Sequence, residues 1–240
     1  MQCWMLASLD AFVPNIFIQD PSKFPAKRPR IAFLNTYFGQ YKAFASRCFQ
    51  SAAANARTAD FYFFISSITQ PGPAERAVRT GGRQATNIFV QRYGDLTELA
   101  AFFSSRLGFQ IQIKTGRTLG DFTPTLGYIF EPWLSAYSHW AWLDIDQIFG
   151  DIGAMLSPSD WAMSVVSFRP GAQDTHFSGP LTIVRNQPQL NKVIAIGHPL
   201  APQLLSGEDI MGGVAHYDEW QSVFVAHTRT FDGSQHGHRP

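Results

Sequence analysis

Two aspartates, Asp144 and Asp146, stand one residue apart at the end of the apolar run His139-Trp140-Ala141-Trp142-Leu143. Such a run reads as a buried strand, and unpaired carboxylates within it would be costly. Strand side chains alternate, so both aspartates project to one side. Paired carboxylate oxygens are hard ligands for a divalent cation such as Mg2+ or Mn2+, which in turn holds phosphate groups. A third acid, Asp151, follows a short way on. The competing reading is that these acids cap the helix after the strand.

The elements that must position this pair are legible on both sides of it. Residues 1–29 read as a loosely structured extension ending in a proline-rich stretch, and Arg30 to Tyr37 as the first strand. A helix is expected over Tyr41 to Asn55, with Phe44, Cys48 and Ala52 on one face, followed by a strand from Asp60 to Ser66. Thr69 to Gln84 is rich in Pro, Gly and Arg and reads as an exposed loop. A short strand follows at Asn87 to Val90. Asp95 then opens a helix, with Glu98 completing a capping box, a stripe at Leu96, Leu99, Ala100, Phe103 and Leu107, and Gly108 as its stop.

Thr123-Pro124 opens a further helix, with Leu126, Ile129, Phe130, Trp133, Leu134 and Tyr137 as its stripe. The Asp-x-Asp strand comes next, and Trp161 to Phe168 reads as another strand. Strands alternating with helices predict an α/β domain with a mostly parallel sheet covered by helices on both faces. Its expected extent is 30–228, with 229–240 a disordered tail. Ligands of such sheets bind beyond the carboxyl ends of the strands, where Asp144 and Asp146 fall.

Composition narrows the function classes. The 240 residues carry 19 basic and 18 acidic side chains, for a net charge of +1, which gives no nucleic-acid footprint. The Lys27-Arg28-Pro29-Arg30 cluster reads as a solvated lead-in. Cys3 and Cys48 form neither a disulfide framework nor a zinc motif. Met1 to Ile18 is interrupted by Asp10 and Pro14 and lacks a basic start, so it makes a poor signal peptide and no spanning helix. The chain reads as soluble, in the cytoplasm or a secretory-pathway lumen.

The run Trp142-Leu143-Asp144-Ile145-Asp146-Gln147-Ile148-Phe149-Gly150-Asp151-Ile152 resembles the Asp-x-Asp region of GT-A fold glycosyltransferases. More narrowly, the chain is similar to a poorly characterised microbial glycosyltransferase-like family. Three further elements carry that resemblance in the same order: Asp121-Phe122-Thr123-Pro124-Thr125-Leu126-Gly127, Gly179-Pro180-Leu181-Thr182-Ile183-Val184-Arg185-Asn186, and Asp218-Glu219-Trp220. The fold implied is GT-A-like, and the activity implied is metal-dependent transfer of a sugar from a nucleotide-sugar donor to a carbohydrate or glycoconjugate acceptor.

The resemblance also implies roles. Asp146 ligates the Mn2+ or Mg2+ directly, and Asp144 meets the ribose or the metal through water. A late histidine ligand is expected, His216 or His227 ahead of His176. Asp121 binds a donor-sugar hydroxyl or caps its helix, and Arg117 meets the diphosphate. Asp218 or Glu219 takes the acceptor proton, or forms a solvated turn. Arg185 and Asn186 line the acceptor side or tie a loop to the core, with Thr182. Trp220 is the candidate for stacking on a sugar, whereas Trp133 and Trp142 read as core. Two departures from the family stand out: a lysine near Thr123 is missing, and the second strand ends Ser66-Ser67 where relatives offer an aspartate to the base. The alternatives are a catalytically degraded scaffold and a metal-dependent nucleotidyltransferase or phosphohydrolase.

Overall fold

A computed structural model describes residues 30–67, 85–167, 181–197, 199 and 201–206. Six strands form one sheet in the order β3-β2-β1-β4-β6-β5. They are β1 (Ile31–Tyr37), β2 (Ala59–Ser66), β3 (Ile88–Tyr93), β4 (His139–Leu143), β5 (Val165–Ser167) and β6 (Leu181–Arg185). β1 pairs in parallel with β2 and β4, and β2 with β3, while β6 runs antiparallel to both β4 and β5. The fold is therefore α/β with a mixed, mostly parallel sheet, as the alternation of elements predicts.

Period-two alternation sends the strand side chains into two separate cores. Leu34, Phe64, Trp140, Trp142 and Val184 face α2 (Leu96–Leu107), α3 (Leu126–Ile129), α6 (Pro188–Ile196) and α7 (Ala201–Ser206). Ile31, Phe33, Phe61, Phe63, Ala141 and Ile183 face α1 (Ala45–Ala54) and α4 (Ile152–Met155). Both faces of the sheet are thus covered, which suits near-continuous apolar strands. Among the described residues no helix is long and apolar enough to cross a membrane.

Several local expectations need correction. α1 starts at Ala45 rather than Tyr41; Phe44 precedes it without a capping side chain and is 42% exposed, while Cys48 and Ala52 are buried as expected. β3 continues three residues past Val90, to Tyr93. Asp95 caps α2 by accepting from the backbone N–H groups of Thr97 and Glu98, and Gly108 ends it in the left-handed region at φ 83°.

The expected helix from Thr123 is broken into pieces. A 3-10 helix spans Gly116–Thr125, α3 lasts a single turn, and a second 3-10 segment covers Glu131–Leu134. Pro132 has no N–H to continue the ladder. Arg106 takes the carbonyls left over, donating from Nε to Ile129 (3.0 Å) and from Nη2 to Tyr128 (3.5 Å). The predicted stripe still faces the core.

Trp161 is likewise helical instead of strand. It lies in α5 (Pro158–Ala162), where Ser157 and Asp160 form a reciprocal capping box and Pro158 fits the first turn. β5 accordingly starts only at Val165, and Phe168 lies outside the described residues. Arg30 is no solvated lead-in either. Its guanidinium grips the buried Asp60 carboxylate, which also accepts from the Tyr137 hydroxyl at 2.8 Å. This pairing compensates a charge that would otherwise be stranded in the core.

Candidate functional site

The chain leaves β1 towards β2 and β3 on one side, then returns to place β4 on the other side of β1. That reversal makes the crevice between the carboxyl ends of β1 and β4 the switch point of the sheet. The β1–β4 ladder ends at the pair Leu34 and Trp142. Beyond it the strands part, and a side-chain bond bridges the gap: Asn35 Nδ2 donates to the Leu143 carbonyl at 2.8 Å. A cleft of about 300 Å³ opens here. Asn35, Thr36, Tyr37 and Lys42 line one side, Asp144 and Asp146 another, with Leu34, Leu126 and Leu143 beneath.

The aspartate loop is held from three directions. At its root the Asp144 N–H donates to the Gln147 side chain at 3.3 Å and the Gln147 N–H to the Asp144 carbonyl at 3.2 Å. At its far end α1 acts as a clamp. Asn55 Nδ2 donates to the Gly150 carbonyl at 2.9 Å, its Oδ1 accepts from the Ile152 N–H at 2.9 Å, and Ser51 Oγ accepts from Phe149 N–H at 3.0 Å. The Phe149 ring packs edgewise on Phe33, 5.3 Å between centroids, and tilted on Phe61 at 5.2 Å.

The remaining wall comes from the 3-10 helix through Gly116, Leu119, Gly120 and Thr123. Gly116 is required where it stands, because a Cβ there would fall 2.3 Å from the Phe38 carbonyl oxygen. Burial first, and then the nearby Asp146 charge, push the Cys48 thiol on α1 up to about 12.

The other sequence candidates distribute differently. Asp151 accepts from the Ala154 N–H and caps α4, so the third acid has the helix-capping role. Arg117 and Asp121 both ride on the 3-10 helix, beside rather than among the residues lining the cleft. Asp121 is not the helix cap; that position belongs to Thr115, which accepts from Thr118.

Arg185 lies at the other end of β4 from the aspartates and, of its two expected roles, ties a loop to the core. It pairs with His139 at the start of β4, whereas Asp144 follows the end of that strand, and its Nη2 donates to the Trp161 and Ala162 carbonyls. Asn186 ties a loop to the core, donating to the Leu134 and Tyr137 carbonyls at 2.6 and 3.0 Å. Thr182 donates to Ser167 at 3.2 Å on the sheet itself. Trp142 is core, and Trp133 packs against that core half-buried.

Ser66 and Ser67, at the end of β2, are bound to the Gly94 carbonyl. His176, His216, Asp218, Glu219, Trp220 and His227 lie outside the described residues. Among the described residues no three His, Cys, Asp or Glu side chains gather into a metal-ligand set.

Asn35, Tyr37 and Lys42 are cleft residues that sequence reasoning missed. Asn35 had a visible signal, a lone amide after Ile-Ala-Phe-Leu in an otherwise apolar strand. Lys42 and Tyr37 had none, since their position depends on how the chain turns after β1. No curated protein is detectably similar to the chain. A match over residues 33–224, which takes in the described strands except the first two residues of β1, and the whole cleft, shows that the chain belongs to a family of unknown function, DUF6625.

Proposed function

We propose that the protein is a metal-dependent glycosyltransferase that takes its donor as a nucleotide sugar. One observation carries this reading: Asp144 and Asp146 open into the cleft at the β1–β4 switch point. The donor atoms there are oxygens, which fit Mg2+ or Mn2+ and not a soft metal. A buried amide oxygen without a partner among the described residues, Asn35 Oδ1, supports a polar occupant. Bound in the cleft, the cation would offset the charge that develops on the departing diphosphate.

The protein's own groups have narrower tasks. The aspartates hold the cation; the Asn55 and Ser51 clamps keep their loop in place; Lys42 faces the diphosphate as a point charge. Tyr37 and Phe44 provide apolar walls that shield the charged groups from bulk water.

The test is thermal unfolding with UDP or GDP, with and without Mn2+, on the wild type and on Asp146→Ala. At a ligand concentration of about 100 Kd the wild type gains about 2.7 kcal/mol, a gain that Asp146→Ala forfeits. Release of nucleoside diphosphate from a panel of nucleotide sugars then identifies the donor. A wild type that ignores every nucleotide and metal combination sinks the proposal. It would favour a scaffold that keeps the fold, a reading to which the hydrogen-bonded Ser66 and Ser67 lend support.

A further inference from the structure

We propose that Asn35 is a direct oxygen ligand of the divalent cation held by Asp144 and Asp146, an assignment that rests on the metal-site reading above. Asn35 is 8% exposed, and its Oδ1 has no hydrogen-bond partner among the described residues. A fold rarely keeps a buried acceptor idle unless something from outside completes it. The amide cannot simply be reversed. Nδ2 donates to the Leu143 carbonyl at 2.8 Å, and a flipped amide would set two oxygens against each other. That bond leaves Oδ1, itself shut off from solvent, as the unpartnered polar atom of a residue that lines the cleft together with both aspartates.

Covalent geometry brings Asn35 and Asp144 within reach of one ion, and Asp146 lines the same cleft. The carbonyl held by Nδ2 belongs to the peptide that begins Asp144, so Oδ1 lies within about 8 Å of the Asp144 Cα. A carboxylate spans much of that distance, and a cation between them bridges the rest. Chemically, an amide carbonyl oxygen is the neutral partner that hard cations accept beside carboxylates. It adds a ligand without adding a third negative charge.

The experiment measures Mn2+ binding to the full chain by the loss of the free-ion paramagnetic resonance signal. Wild type, Asn35→Leu and Asn35→Asp are compared, with urea unfolding of each in parallel. Asn35→Leu should weaken Mn2+ by at least about tenfold, the low end of what even outer-shell partners contribute. Asn35→Asp should bind Mn2+ at least as tightly as the wild type, although it lacks the Nδ2 donor.

If Asn35→Asp weakens Mn2+ as much as Asn35→Leu does, Asn35 is only a strut for the Leu143 carbonyl and the proposal falls. Unchanged binding by Asn35→Leu overturns it equally. Both outcomes leave the metal-site reading intact. That broader reading fails separately, when the wild type itself takes up no Mn2+ with or without UDP.

Discussion

Removing the clamp at Asn55 should loosen the aspartate loop at a cost that the structure allows to be worked out. Asn55 is 5% exposed and caps the carboxyl end of α1. Its side chain donates to the Ser51 and Gly150 carbonyls and accepts from the Ile152 N–H. Asn55→Ala removes all three bonds. The bond within α1 goes to a carbonyl of the helix's own last turn and is left out of the sum. The bond to Gly150 is worth about 1 kcal/mol net, and the stranded, buried Ile152 N–H costs about 1–3 kcal/mol. The expected loss is therefore about 2–4 kcal/mol in urea-unfolding free energy. Asn55→Asp keeps the acceptor for Ile152 and loses only the donors, so it should recover part of that loss. Because the clamp holds the loop that carries Asp146, Mn2+ affinity should fall in Asn55→Ala even at temperatures where the protein is fully folded. A change in stability below about 0.5 kcal/mol would refute the argument, since it would mean that the loop is held by other contacts.

Three further outcomes follow from buried groups elsewhere. His139 is buried and pushed down to about 4 by desolvation and then by the Arg185 charge, so it is neutral in the native state. Unfolding lets it bind a proton below about 6.5, so stability falls as pH drops from there towards 4 and the effect is spent below that. Urea titrations should show a wild-type slope up to about 1.4 kcal/mol per pH unit steeper than His139→Gln in that window. Arg30→Met leaves the Asp60 carboxylate with Tyr137 as its one donor among the described residues, and should cost about 3 kcal/mol in the same assay. Gly127→Ala would drive a Cβ to 2.0 Å from the Trp140 ring, whose indole N–H is fixed on Asn191 at 2.8 Å. Overpacking there should cost about 1–3 kcal/mol or more, visible as a lower Tm.

Periodicity made most of the architecture readable because the central strands β1, β2 and β4 are buried on both faces. Ile31 to Leu34, Phe61 to Ile65 and Trp140 to Leu143 are unbroken apolar runs, and the stripe of α2 repeats cleanly between Asp95 and Gly108. Where reading failed, a local bond outweighed composition. Trp161 looks like strand by type, yet the Ser157–Asp160 box and Pro158 start a helix under it. The stripe after Pro124 is helical in period, but Pro132 breaks the backbone ladder without moving the side chains off the core. At the site, Asp144 and Asp146 stood out as acids after an apolar run. Arg185 kept two expected roles because sequence does not show that an antiparallel β6 carries its last residue to the opposite end of the sheet. Direction within a sheet is a long-range property, and no window of sequence contains it.

The charge balance of the cleft gives the proposed chemistry an order. Of the charged side chains lining it among the described residues, Asp144 and Asp146 are negative and Lys42 is positive. A nucleoside diphosphate brings further negative charge, and a crevice walled by apolar groups screens it less than water does. One lysine cannot offset two carboxylates and a diphosphate together. On the proposed reading the cation must therefore arrive with the nucleotide or before it, and the nucleotide alone meets net repulsion. The same balance explains the separate anchoring of the aspartate loop on Asn55, Ser51 and Phe149. Two like charges held close on a loose loop would move apart before any cation arrived. Fixing the loop on α1 keeps them ready, and that positions α1, the element whose chemistry is least visible in the sequence, as the support of the site.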